Sequence, residues 1–201
     1  MAASLVDLLP RLADFLAREG FDGSAYDYRS ATDRVVAVIN FQPSDTSDWF
    51  YVNVGVQPLF IPTEAEAPAD PATITEPQCV FRKRVDPSPS ESWGWYYSTS
   101  TPDRLEPLLL GTLNGFVRPL MRIPGPLNEA TVADFEQQPI HPVYGLRDGL
   151  NFLHWSRIAT ALGDPARGKE FAEAGLALCN RRTTLLIEPL QTASQAADDC
   201  A

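Results

Sequence analysis

Two histidines, His141 and His154, and three cysteines, Cys79, Cys179 and Cys200, are the whole supply of imidazole and thiol in a chain of 201 residues. The histidines stand 13 positions apart, with no further ligand at a supporting spacing, so a shared zinc site is not expected. An odd number of scattered cysteines is no disulfide framework and fits a reducing compartment. Cys79 lies in an apolar run and reads as a small core residue. Also missing are G-x-x-x-x-G-K-[ST], G-x-G-x-x-G after a strand, G-x-S-x-G and H-E-x-x-H, the spacings that cradle phosphate, expose a nucleophile or hold zinc. No catalytic residue, metal ligand or cofactor is therefore nominated. Lysine is scarce, with Lys83 and Lys169 the only two, and the 16 basic residues face 26 acidic ones for a net charge of −10. That balance argues against nucleic acid, whose binding is dominated by cations facing phosphates, and against an anionic membrane surface. No stretch approaches the ~20 apolar residues that span a bilayer. The start, Met1-Ala2-Ala3-Ser4-Leu5, has neither the basic residues nor the apolar run of a secretion signal, so a cytoplasmic location is expected.

What is present is periodicity. Residues 4–19 place Leu5, Leu8, Leu9, Leu12, Phe15 and Leu16 at helical spacing, with Gly20 as a stop. Pro10 predicts a kink, or a start near Asp7. From residue 24 the period changes to two, and strands are expected at 24–30, 34–42 and 49–57, joined by short links that imply antiparallel neighbours. Residues 58–77 hold five prolines and no basic residue, the composition of a solvated, mobile loop. Strand character returns at 78–85 and 93–98. Beyond residue 100, Thr101-Pro102-Asp103 opens a helix with Leu105, Leu108, Leu109, Leu113, Phe116 and Leu120 as its buried stripe. Further helices are expected at 128–138, 144–162 and 165–180, the last two forming a hairpin through Gly163-Asp164. The expectation is one α+β domain over residues 1–201. It comprises a helix and an antiparallel sheet of about five strands in 1–100, a helical region in 101–190 packed on one face, and a frayed tail in 191–201.

Alternation assigns the strand side chains to faces. Val35, Ala37, Ile39 and Phe41 share one face with Phe50, Val52, Val54 and Val56, an apolar set that helices should cover. The other face carries Val36, Val38, Asn40 and Gln42 with Trp49, Tyr51, Asn53 and Gly55. In the fourth strand Cys79, Phe81, Lys83 and Val85 take the core parity, and Arg82 and Arg84 the open one. Trp93, Trp95 and Tyr97 share a face of the fifth. Asn40, Gln42, Trp49, Tyr51, Asn53, Arg82 and Arg84 are thus the candidate binding residues, because aromatic rings and guanidinium groups supply contact area and directional donors. Between Arg34 and Arg82 there is no basic residue, while Asp45, Asp48, Glu64, Glu66, Asp70 and Glu76 contribute six negative charges.

The succession Val38-Ile39-Asn40-Phe41-Gln42, then Phe50-Tyr51-Val52-Asn53-Val54-Gly55-Val56, resembles the core signature of a bacterial family catalogued as domain of unknown function 4304. The likeness runs from Leu5 through Trp95 and includes the leading helix ending in Gly20-Phe21, a cysteine–arginine strand and a Trp-containing one. It implies an α+β fold and carries over no functional residues. Small acidic domains of this kind accompany bacterial toxin systems as immunity proteins, an analogy of fold and charge only.

The favoured expectation is a non-catalytic protein-binding module, of the immunity type, that meets a basic partner. A small-molecule or peptide binder using the open sheet face is the alternative, followed by an enzyme with a carboxylate pair that spacing does not reveal. Composition does not fix the oligomeric state.

Overall fold

The computed structural model describes residues 5–45, 48–87, 94–123, 147–181 and 183–199. The chain divides into two compact units, Met1–Ile140 and His141–Ala201. Composition placed no boundary there.

In the first unit, helix α1 runs Leu5–Arg18. It buries Leu5, Leu8, Leu12, Phe15 and Leu16 and leaves Asp7, Pro10, Arg11 and Arg18 exposed. Pro10 is carried inside the helix, because the hydrogen bond its missing N–H would have made lies on the watered side. Gly20 closes the helix in the left-handed region (φ 86°), letting the Phe21 amide donate to the Leu16 carbonyl at 2.9 Å.

The sheet is antiparallel throughout. It comprises β1 (Asp22–Ser24), β2 (Asp27–Ala31), β3 (Val35–Pro43), β4 (Trp49–Pro58), β5 (Phe81–Arg84) and β6 (Trp95–Tyr96). The order is β1-β2-β3-β4-β5, and β6 also pairs with β4. The strand expected at 24–30 is instead the turn and second arm of a hairpin, with Ser24 paired to Asp27 and Ala25 at φ 53°. Period-two patterning cannot separate a strand from a two-residue reversal that keeps the same parity. The long β3–β4 pairing sets Ile39 opposite Val54, Asn40 opposite Asn53 and Gln42 opposite Tyr51.

The inner face is as the alternation predicts: Val35, Ala37, Ile39, Phe41, Phe50, Val52, Val54 and Val56 are all fully buried. A helical stretch closes over it. It consists of α2 (Pro102–Thr112), a π-helical turn (Leu113–Val117) and α3 (Arg118–Met121). Helix α3 lies against β3 and β4, and the Lys83 ammonium stands 5.9 Å from the Phe116 ring centre. Leu105, Leu109, Leu113, Phe116 and Leu120 are buried, but Leu108 is not. The wide turn has a local cause. Pro119 lacks an amide proton and its ring would strike the carbonyl four residues back, and the Arg118 amide bonds five residues back, to Leu113. Trp95 and Tyr97 take the inner side, both stacked on Phe50 at 6.5 and 5.4 Å.

In the second unit, α4 (Arg147–Ala161), α5 (Pro165–Leu178) and α6 (Ile187–Asp199) pack together. Gly163 (φ 85°) makes the reversal between α4 and α5, and the Asp164 carboxylate caps α5 by accepting from the Arg167 amide at 3.0 Å. Gly168 and Gly175 permit the close approach: a methyl group at Gly168 would strike Thr160, and one at Gly175 would come within 2.7 Å of Leu190. The tail expected to fray from Gln191 is helical through Asp199, tied by Lys169 to Asp198 at 2.7 Å. The helix expected at 128–138, together with His141, Trp93 and Cys200, lies outside the described residues. No helix among those described is long and apolar enough to cross a membrane.

Candidate functional site

The outer face of the sheet is divided in two. Over the β3–β4 end nearest Val36 and Gly55, residues 59–79 lie as a strap rather than a solvated loop. Val36, Val38, Ile74 and Cys79 form a buried cluster with Leu59 and Ala69 packed against it. The strap is tied down by backbone and side-chain bonds that proline-rich composition conceals. Buried Gln57 donates to the carbonyls of Pro58 (2.8 Å) and Ile61 (3.1 Å) and accepts from the Val80 amide (3.1 Å). Arg29 donates to the Ile74 carbonyl at 2.8 Å. Arg82 pairs with Glu76 at 3.3 Å and donates to the Pro77 carbonyl at 3.1 Å. Gly55 is required beneath it, since a methyl group there would lie 2.7 Å from the Cys79 sulfur. Burial raises the Glu76 carboxyl above the usual range against the opposing pull of Arg82 and Arg84, and pushes the Cys79 thiol up to about 12. Such a thiol is inert.

The other half of the face carries a polar row. Asp27, Asn40, Asn53 and Arg84 sit side by side on β2, β3, β4 and β5 by strand register, spanning about 14 Å across three strand spacings. Asn40 donates to Asp27 at 3.0 Å, Asn53 donates to Gln42 at 3.1 Å, and the Nε of Arg84 donates to the Asn53 carbonyl oxygen at 3.2 Å. The Arg84 guanidinium carbon lies 4.1 Å from the Tyr51 ring centre, a stacking distance. Beyond Tyr51 come Trp49, at 6.5 Å, and Tyr96, which meets Trp49 edge-on at 5.3 Å. Tyr96 is 44% exposed. The indole nitrogen of Trp49 is buried with no acceptor among the described residues.

Of the residues nominated from sequence, Asn40, Gln42, Trp49, Tyr51, Asn53 and Arg84 therefore gather on one surface. Asn53 is itself buried and serves to hold its neighbours. Arg82 is separated from them in role, because its guanidinium is engaged by the strap. Asp27 and Tyr96 belong to the surface and went unnominated. Both follow from register: Asp27 faces Asn40, and Tyr96 faces Trp49. His154 is buried in the second unit. Among the described residues no three of His, Cys, Asp and Glu gather as a metal site.

These features define an open antiparallel α+β domain, with one sheet face sealed by helices and the other shared between a strap and a half-buried patch of rings, amides and a guanidinium, with Gln42 and Tyr96 exposed. The chain belongs to the family described as Domain of unknown function (DUF4304), which it matches over residues 12–120. The match spans every strand and reaches into α3. No curated protein and no solved structure matches the chain.

Proposed function

We propose that the chain is a non-catalytic protein-binding module that docks a partner on the patch formed by Trp49, Tyr51, Tyr96, Arg84, Asn40 and Gln42. The observation that carries this reading is the stacking of Arg84 on Tyr51 beside exposed Tyr96. Residue types that dominate binding energy are here held on strands rather than on loops, so little side-chain freedom is lost on docking.

Charge favours a basic partner. The net charge is −10, and Glu64, Glu66 and Asp70 lie on the strap that flanks the patch. A field of that sign steers cationic proteins and repels acidic ones. An immunity-type role, in which the module occludes a basic toxin, is the particular function proposed.

The test is affinity capture from source-cell lysate with the wild-type chain, Tyr51→Ala and, as a control on the second unit, Leu185→Ser. A basic protein retained by wild type and control and lost by Tyr51→Ala supports docking. Restored growth when the chain is co-expressed with that protein supports immunity. Capture that ignores Tyr51→Ala would falsify the assignment of the patch.

A further inference from the structure

The geometry points to Arg84 as a carboxylate-binding subsite: we infer that the docked partner presents an Asp or Glu side chain to its guanidinium. The inference rests on the docking reading above and names the chemistry of its centre.

Three observations carry it. Arg84 is positioned from two directions, by the Asn53 oxygen on Nε at 3.2 Å and by the Tyr51 ring beneath its plane at 4.1 Å. Asn53 is held in turn by Gln42 at 3.1 Å, so the guanidinium is fixed before any ligand arrives. With Nε occupied, the two terminal nitrogens meet no protein acceptor among the described residues, and they form the edge of the fork that grips a carboxylate with two parallel hydrogen bonds.

The neighbouring acidic groups among the described residues do not satisfy it. Glu76 is near enough to be influenced by Arg84, but its ion pair is with Arg82, at 3.3 Å. Asp27 stands at the far end of the row and already accepts from Asn40. Arg82, two residues along the same strand face, has Nε and one terminal nitrogen engaged by Glu76 and Pro77, which leaves Arg84 as the anchor.

The surrounding acidic field does not contradict this. Long-range steering responds to the net charge of the partner, and the anchor to one group at contact. A basic protein carrying one acidic residue amid its cations meets both conditions. That residue would be selected in register, because misplacement by one strand spacing sets it over buried Asn53, away from the guanidinium.

Small anions test the subsite without any partner. The 15N-labelled full chain is titrated, at matched ionic strength, with N-acetylglutamate amide, its neutral isostere N-acetylglutamine amide, inorganic phosphate and chloride. The backbone amide resonances of residues 51, 53 and 84, present in every variant, are followed by NMR, together with the Nε–H of Arg84 in the wild type. The expected result is a saturable shift with the glutamate probe at millimolar concentration and at least a tenfold weaker response to the glutamine probe. The response should be lost in Arg84→Gln and weakened about tenfold in Arg84→Lys. Thermal melts of both variants check that they are folded. An equal response to glutamine, a response that survives Arg84→Gln, or tighter binding of phosphate than of the carboxylate each overturns the inference. A chain that binds the probe but captures no partner keeps the subsite and loses the docking reading. One that captures a partner and ignores the probe does the reverse.

Discussion

Gly55 shows how much a single missing side chain can decide. It pairs with Val38 on β3 and Arg82 on β5, in the middle of the sheet, where glycine is otherwise a poor choice. Its use is the space above it, which holds Cys79 and the Glu76 carbonyl. Gly55→Ala should therefore cost about 1–3 kcal/mol by overpacking, read as a lower urea midpoint. Adding Cys79→Ala should recover only part of it, because the Cys79 β-carbon is itself 2.8 Å from the new methyl. A variant as stable as wild type would mean that the strap does not sit so low on the sheet. Asn53 is the polar counterpart: buried at a cross-strand pair, it joins Gln42 to Arg84 and makes one surface from three strands.

At the level of elements, the strap over residues 59–79 decides how much of the sheet is open. It is held by hydrogen bonds to main-chain groups and by the Glu76–Arg82 pair. Glu76 should leave a signature in the dependence of stability on pH. Its carboxyl is raised above the ordinary 4.5, chiefly by burial, so the folded chain holds the proton more tightly than the unfolded one. The stability contributed by this group is then fully present below 4.5 and lost as pH rises through the raised folded value. In urea titrations from pH 4 to 7, wild type should gain on Glu76→Gln as the pH falls through that window. Parallel curves would show that the carboxyl is not desolvated in the fold. The π-helical turn belongs to this scale too, as the means by which a helix carries Pro119 while still burying Phe116 and Leu120.

For the whole molecule the net charge of −10 is the dominant property. If the partner is basic, raising salt from about 50 to 500 mM should cut the association rate about tenfold or more, since exposed charges are screened over about 10 Å at 0.1 M salt. Arg84→Gln should change mainly the dissociation rate, because a contact anchor acts after encounter. Stopped-flow association at several salt concentrations separates the two. An association rate indifferent to salt would remove charge steering from the account.

Side-chain parity in β3 and β4 made the buried face readable, because a period of two places every second residue on one side whatever the neighbours do. The helix over 5–18, its Gly20 stop and the apolar stripe after 102 were equally local, and so legible. The same reasoning brought Asn40, Gln42, Trp49, Tyr51, Asn53 and Arg84 to a common face. It did not reach Asp27 and Tyr96, which join that face only through strand pairing. Nor did it foresee the strap, whose proline-rich, acidic composition looks solvated while Ile74 and Leu59 are drawn onto Val36 and Val38. Which half of the sheet stays open, and that Arg84 rather than Arg82 is left to bind, depends on contacts between residues distant in the chain. Composition and spacing record what each residue prefers, and only tertiary packing records which of those preferences are met by another part of the molecule.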